Sequence, residues 1–222
     1  MRLDRIGYAT LLRDAAEDTL TSEKYVLRIR IELLGVEPPI WRRIEVPESY
    51  SFWDLHVAIQ DAMGWRDCHL HAFRLIGVET AVGLPCEFDD RIRPGWTVKI
   101  REHLHGHSPL ALYEYDFGDS WLHEIRFEDI VEAEPESRYP RCVDGARRGP
   151  PENSGGPHRY ADMVGSLSDP SDVEHDSMRE WLGAEFDPED FDAAQVTFQD
   201  PARRRRELLP DAPPRTHGRA RD

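Results

Sequence analysis

The 222-residue chain contains no apolar run approaching the ~18 residues needed to cross a bilayer. Its first twenty residues are broken by charges where a secretory signal would need an unbroken apolar stretch. Neither a membrane span nor export is therefore expected, and the chain reads as cytoplasmic. Cysteine is scarce. Cys68, Cys86 and Cys142 are an odd number with no C-x-x-C pair, which excludes a disulfide framework and a closed four-cysteine zinc site. A basic body is lacking as well. The net charge is -15, and residues 203–222 carry seven Arg against three acids, so the remainder stands at -19. Such a body repels phosphate backbones, leaving only a weak nucleic-acid contact through Arg203, Arg204, Arg205 and Arg206. There is no internal repeat, no G-x-x-x-x-G-K-[ST] loop and no complete catalytic constellation, so no cofactor is required by the sequence.

What is present is a core. Six Trp, seven Tyr and eight Phe, with 39% hydrophobic residues, belong to a globular chain rather than a disordered one. Residues 25–33 alternate apolar and polar and predict a strand, and 40–46 alternate likewise after Gly35 and Pro38-Pro39, giving an opening hairpin. Ser51 with Asp54 forms a capping box. Phe52, Leu55, Ile59, Ala62 and Met63 make one helical stripe, and Gly64 stands at the stop position. Strands are expected over 69–76 and near 97–102.

Residues 113–128 read as a hairpin. A three-residue loop, Gly118-Asp119-Ser120, would place Tyr115 opposite His123 and pair Phe117 with Trp121. Residues 138–158 read as a long irregular loop, followed by helices over 160–167 and 173–182, with a possible returning strand through Phe191 and Phe198. The expected whole is a single α+β domain, a mixed, mainly antiparallel sheet of hairpins packed with a few helices. It spans residues 24–200, after an N-terminal extension (1–23) and before a disordered Arg/Pro-rich tail (201–222).

Y-E-Y-D-F-G-D-S-W-L-H (113–123) resembles the signature hairpin of the plasmid pRiA4b ORF-3-like proteins. Six segments agree in order along the chain. They are P-P-I-W-R-R (38–43), F-W-D-L-H-V-A-I-Q-D-A-M-G-W (52–65), H-L-H-A-F (69–73), Y-P-R-C-V-D-G (139–145) and P-P-E-N-S-G-G (150–156), followed by E-W-L-G (180–183). Asn153 and Ser154 depart from the Asp and Cys more usual in that pattern. The resemblance implies an α+β domain of bacteria and archaea, associated with plasmids and mobile elements, with no established biochemical role. Some relatives carry resolvase labels, which do not transfer, because that chemistry needs a nucleophilic Ser among arginines over DNA.

The candidate binding residues are His69, His71, Asp116, Asp119, Trp121, His123, Cys142 and Glu152. His69 and His71 share a strand face, the spacing at which two imidazoles can meet one metal, although Phe73 stands where an H-x-H-x-D motif has Asp. His103, His105 and His107 alternate more densely but beside Gly106 and Pro109, as in a loop. Asp116, Asp119 and His123 offer acid, base or ligand chemistry; equally, they satisfy a turn and a cross-strand pair. Asp116-Phe117-Gly118 matches the kinase metal-binding triplet without the other kinase motifs, which removes that reading. Residues 150–156 could present backbone N–H groups to an anion. Cys142 is a thiol with no neighbouring histidine in sequence.

The leading expectation is a non-enzymatic binding domain for a protein or small-molecule partner. The alternatives are a metal-assisted hydrolase using His69, His71, His123, Asp116 and Asp119, and a DNA-associated regulator acting through the basic tail. No metal is assigned.

Overall fold

The computed structural model describes residues 24–85 and 91–209. Its framework is one eight-stranded sheet. In chain order the strands are β1 (Tyr25–Leu33), β2 (Ile40–Pro47), β3 (His71–Leu75), β4 (Val82–Gly83), β5 (Arg93–Pro94), β6 (Leu110–Tyr115), β7 (Trp121–Glu132) and β8 (Arg141–Ala146). Across the sheet they run β5-β4-β3-β6-β7-β1-β2-β8, antiparallel except for β4 beside β5. Among the described residues four helices complete the α+β domain: α1 (Phe52–Met63), α2 (Gly156–Ser168), α3 (His175–Leu182) and α4 (Pro201–Leu208). No helix among the described residues is long and apolar enough to cross a membrane.

The alternation in β1 sends Leu27, Ile29, Ile31 and Leu33 into the core, while outward-facing Arg28 and Arg30 pair with Glu45 and Glu32. The opening hairpin forms as expected, with Leu33 opposite Ile40. Helix α1 starts at the complete Ser51/Asp54 capping box and ends at Gly64, whose φ of 82° suits glycine. Its apolar stripe lies on the sheet. Its other side is also covered, because Trp53 Nε1 donates to the Pro201 carbonyl and Asp61 pairs with Arg204 at 2.7 Å.

Several expectations are corrected. The β6–β7 loop has five residues, so Tyr115 faces Trp121 and Tyr113 faces His123. Three- and five-residue loops preserve the same inward faces, which is why the buried set is right and the register is not. The chain leaves the ladder at Asp116 (φ 56°), whose carboxylate accepts from the Gly118 and Asp119 amides, and Phe117 is thereby turned out to 41% exposure. Phe117 is therefore not the buried partner of Trp121.

Instead of a strand over 97–102 there are two 3₁₀ turns, Gly95–Thr97 and Ile100–Glu102, with a single bridge from Lys99 to Ser51 between them. The expected irregular loop 138–158 contains β8, a half-exposed edge strand with little alternation to betray it. No strand passes through Phe191 and Phe198; instead Phe191 lies 3.8 Å from the Arg42 guanidinium.

Residues 201–208, expected to be disordered, are the helix α4. Asp200 caps it, Pro201 occupies its first turn, and Arg204 and Arg205 are buried, the latter over Trp96. The arginine stems take the place of the apolar stripe that periodicity looks for. Residues 210–222 of the expected tail and the N-terminal extension lie outside the described residues, as does Cys86.

Candidate functional site

Where β3 begins and β6 ends, three segments converge. Segment 65–69, leaving α1, is held by the Asp67 amide donating to Gln60 Oε1 at 2.9 Å and by Asp67 Oδ1 at 2.8 Å from His56 Nε2. The turn after β6 contributes Asp116. Loop 150–156 contributes Glu152 and is tied down at three points: Trp65 Nε1 to the Pro150 carbonyl at 2.7 Å, the Arg66 amide to Glu152 Oε1 at 2.7 Å, and the Gly155 amide to Asp119 Oδ2 at 2.8 Å. The last bond also answers the anion expected at this loop, since the group its backbone holds is the protein's own Asp119. Gly156 must be glycine, because its φ is 80° and a Cβ would come within 2.5 Å of the Asp119 carbonyl.

In the resulting basin His69 Nε2 stands 3.4 Å from Asp116 Oδ2 and 3.7 Å from Glu152 Oε2. That nitrogen is shielded from solvent and makes no hydrogen bond. The remaining oxygens are held in place, Asp116 Oδ1 by the Gly118 amide at 3.0 Å and Glu152 Oε1 by Arg66. Tyr115 donates its hydroxyl to Glu152 at 3.1 Å and accepts from the Cys68 amide at 3.1 Å. Burial, with Glu152 adding to it, pushes the Tyr115 hydroxyl well above its ordinary value, so it remains a donor. The Cys68 sulfur lies 3.8 Å from that hydroxyl, and its ligand atom, with those of His69 and Glu152, falls within a 4.8 Å sphere of mutual distances. Burial raises the Cys68 thiol too.

A second group lies inside. His56 and His71 are stacked, ring centres 3.4 Å apart and planes within 8°, both fully buried. Neither nitrogen of His71 has a hydrogen-bond partner, and burial, reinforced by His56, holds its pKa well below the imidazole range. Although His56, Asp67 and His71 bring ligand atoms within 4.8 Å, parallel rings cannot both aim in-plane lone pairs at one ion. Tyr113 donates or accepts at His56 Nδ1, 2.8 Å away.

The structure thus gathers His69, Asp116 and Glu152 and separates the rest. His71 starts β3 and enters the core, whereas His69, two residues earlier, stays at the strand mouth. His123 contacts the Tyr113 carbonyl at 3.4 Å, not Tyr115, and burial lowers its pKa to about 4. Trp121 is core, and Asp119 braces the loop. Cys142 lies in β8 opposite Ile44, its sulfur near carbonyl oxygens and its thiol raised by burial, the opposite of an activated nucleophile. His103, His105 and His107 form no converging group among the described residues. Sequence reasoning missed Cys68, Asp67 and His56 as site neighbours. The available signal was His56 itself, a polar residue inside the helical stripe between Phe52 and Ile59.

The family model of the plasmid pRiA4b ORF-3-like protein matches residues 25–195. The chain belongs to the plasmid pRiA4b ORF-3-like family. An uncharacterised protein of Sinorhizobium fredii, y4hQ, is 33% identical over 175 residues, 78% of this chain and 87% of that protein. The crystal structure of MM3350, a protein of unknown function from Methanosarcina mazei, superposes with a TM-score of 0.75 at 38% identity. It covers 80% of this chain and all of that one. Within the plasmid pRiA4b ORF-3-like chain described here, the three segments 69–73, 113–123 and 150–156, through which the sequence resembles the family, supply His69, Tyr115, Asp116 and Glu152 of the basin.

Proposed function

We propose that the protein is a non-enzymatic binding domain whose ligand enters the basin between His69, Asp116 and Glu152. One observation carries this reading: a shielded imidazole nitrogen with no hydrogen bond stands between two carboxylates whose other oxygens are fixed by backbone amides. The nitrogens of His71 are also unsatisfied but are enclosed by aromatic rings, whereas the His69 nitrogen faces two oriented carboxylates, an arrangement for which packing gives no reason, since an unmade buried hydrogen bond costs about 1–3 kcal/mol. Groups arranged for a ligand commonly carry that cost. The hydrolase alternative draws on His71 and His123, whose rings are engaged in the core. The DNA alternative draws on arginines of which Arg203 pairs with Glu207 and Arg204 with Asp61.

The test needs no ligand. If His69 serves binding, His69→Ala leaves the unfolding free energy unchanged or raises it, by up to the ~1–3 kcal/mol that its unsatisfied nitrogen costs. A loss above ~1.5 kcal/mol would make His69 a structural cation between two acids and refute the reading.

A further inference from the structure

Resting on that reading, we propose that the basin's ligand is a divalent transition-metal ion of the zinc class, bound by Cys68 Sγ, His69 Nε2 and Glu152 Oε2, with Asp116 Oδ2 drawn in as the fourth donor. The donor spacing fits. Ligands about 2.1 Å from a tetrahedral ion stand roughly 3.4 Å from one another; His69 Nε2 lies 3.7 Å from Glu152 Oε2, and the ligand atoms of Cys68, His69 and Glu152 all lie within 4.8 Å of one another. The thiol closes the third corner with a movement of about 1 Å, since its distances to the His69 and Glu152 ligand atoms are at most 4.8 Å, and Asp116 Oδ2, 3.4 Å from His69 Nε2 but outside that group, moves in to complete the fourth.

An outer layer is already built. Gly118 N–H and Arg66 N–H each hold the far oxygen of one carboxylate, and the Tyr115 hydroxyl bonds Glu152. Such partners orient ligands and sharpen affinity. Donor chemistry chooses the metal class: an imidazole and a sulfur favour zinc and its neighbours over magnesium or calcium, which prefer oxygen alone. The elements that carry the donors are independently anchored, Cys68 and His69 through Asp67 to α1, and Glu152 through Trp65 and Asp119. The site therefore does not depend on the ion to assemble.

The full-length protein, stripped with a chelator, is titrated with zinc by calorimetry and with cobalt(II) by absorption. The expected result is one equivalent of each. The cobalt form should show a thiolate charge-transfer band and the strong visible bands of four-coordination. His69→Ala and Glu152→Gln should weaken zinc binding at least tenfold, and Tyr115→Phe by about tenfold as an outer-layer change. Cys68→Ser should abolish the charge-transfer band. Circular dichroism on each variant confirms that it is folded.

Two outcomes overturn the proposal. One is failure of the wild-type protein to bind either ion. The other is binding that survives His69→Ala unchanged but is lost in His105→Ala/His107→Ala, which would put the ion on the 103–107 loop. Failure to bind zinc leaves the binding-domain reading intact, because that reading is judged separately by the ligand-free stability of His69→Ala.

Discussion

Two fully buried neutral histidines should make this protein lose stability in mild acid. Burial depresses His71 well below, and His123 to about 4 from, the ordinary 6.5. The unfolded chain therefore binds protons below pH 6.5 that the folded chain refuses, and stability present above 6.5 is lost as pH falls toward the folded values. For one such group the loss between pH 7.5 and 5.5 is roughly 1.5 kcal/mol, so His71 and His123 together remove about 3 kcal/mol. This window lies above the range in which ordinary carboxylates titrate. Urea unfolding at half-unit pH steps measures the slope. His123→Leu will lower the baseline, but its slope should be about half that of the wild type. A wild-type curve that is flat or rises on acidification over this window would refute the reasoning, as would an unchanged slope in His123→Leu.

The corrected hairpin register gives a contrast between two aromatic residues. Trp121→Ala, emptying a fully buried site, should cost about 3–5 kcal/mol by denaturant unfolding, while Phe117→Ala, at the exposed turn, should cost under ~1 kcal/mol. A comparable loss for both would restore the Phe117–Trp121 pairing. Helix α4 should matter as well. Arg204→Ala leaves Asp61 buried without its cation, and the same denaturant assay should register about 3 kcal/mol of destabilisation. A change below ~0.5 kcal/mol would mean that this helix is dispensable.

The parts of the fold that were legible carried several independent signals. Helix α1 had a capping box, an apolar stripe and a terminal glycine; the first hairpin had two alternating runs. The β6–β7 pair had alternation only, which selects faces but cannot distinguish loops that differ by two residues. β8 carried no usable signal and α4 only the Asp200–Pro201 start, because an edge strand half in solvent does not alternate and a helix docked through arginine stems has no apolar period.

The candidate site was legible in part for the same reason. His71 and His123 sit on regular strands, so alternation sent them into the core, where they pack rather than bind. His69, Asp116 and Glu152 lie just outside regular elements, where only the tertiary arrangement decides what they meet. Cys68 has no sequence motif at all and joins the site because Asp67 fixes the backbone beside it.

The most direct test of the central claim is linked stability, the unfolding free energy of wild type and of His69→Ala measured stripped and then with excess zinc. At a free ion concentration a hundredfold above the dissociation constant, wild type should gain about 2.7 kcal/mol. His69→Ala should match or exceed the stripped wild type and gain little from the ion. Equal stabilisation of both proteins by zinc, together with a marked loss in stripped His69→Ala, would contradict the account, since His69 would then be holding the fold rather than a ligand.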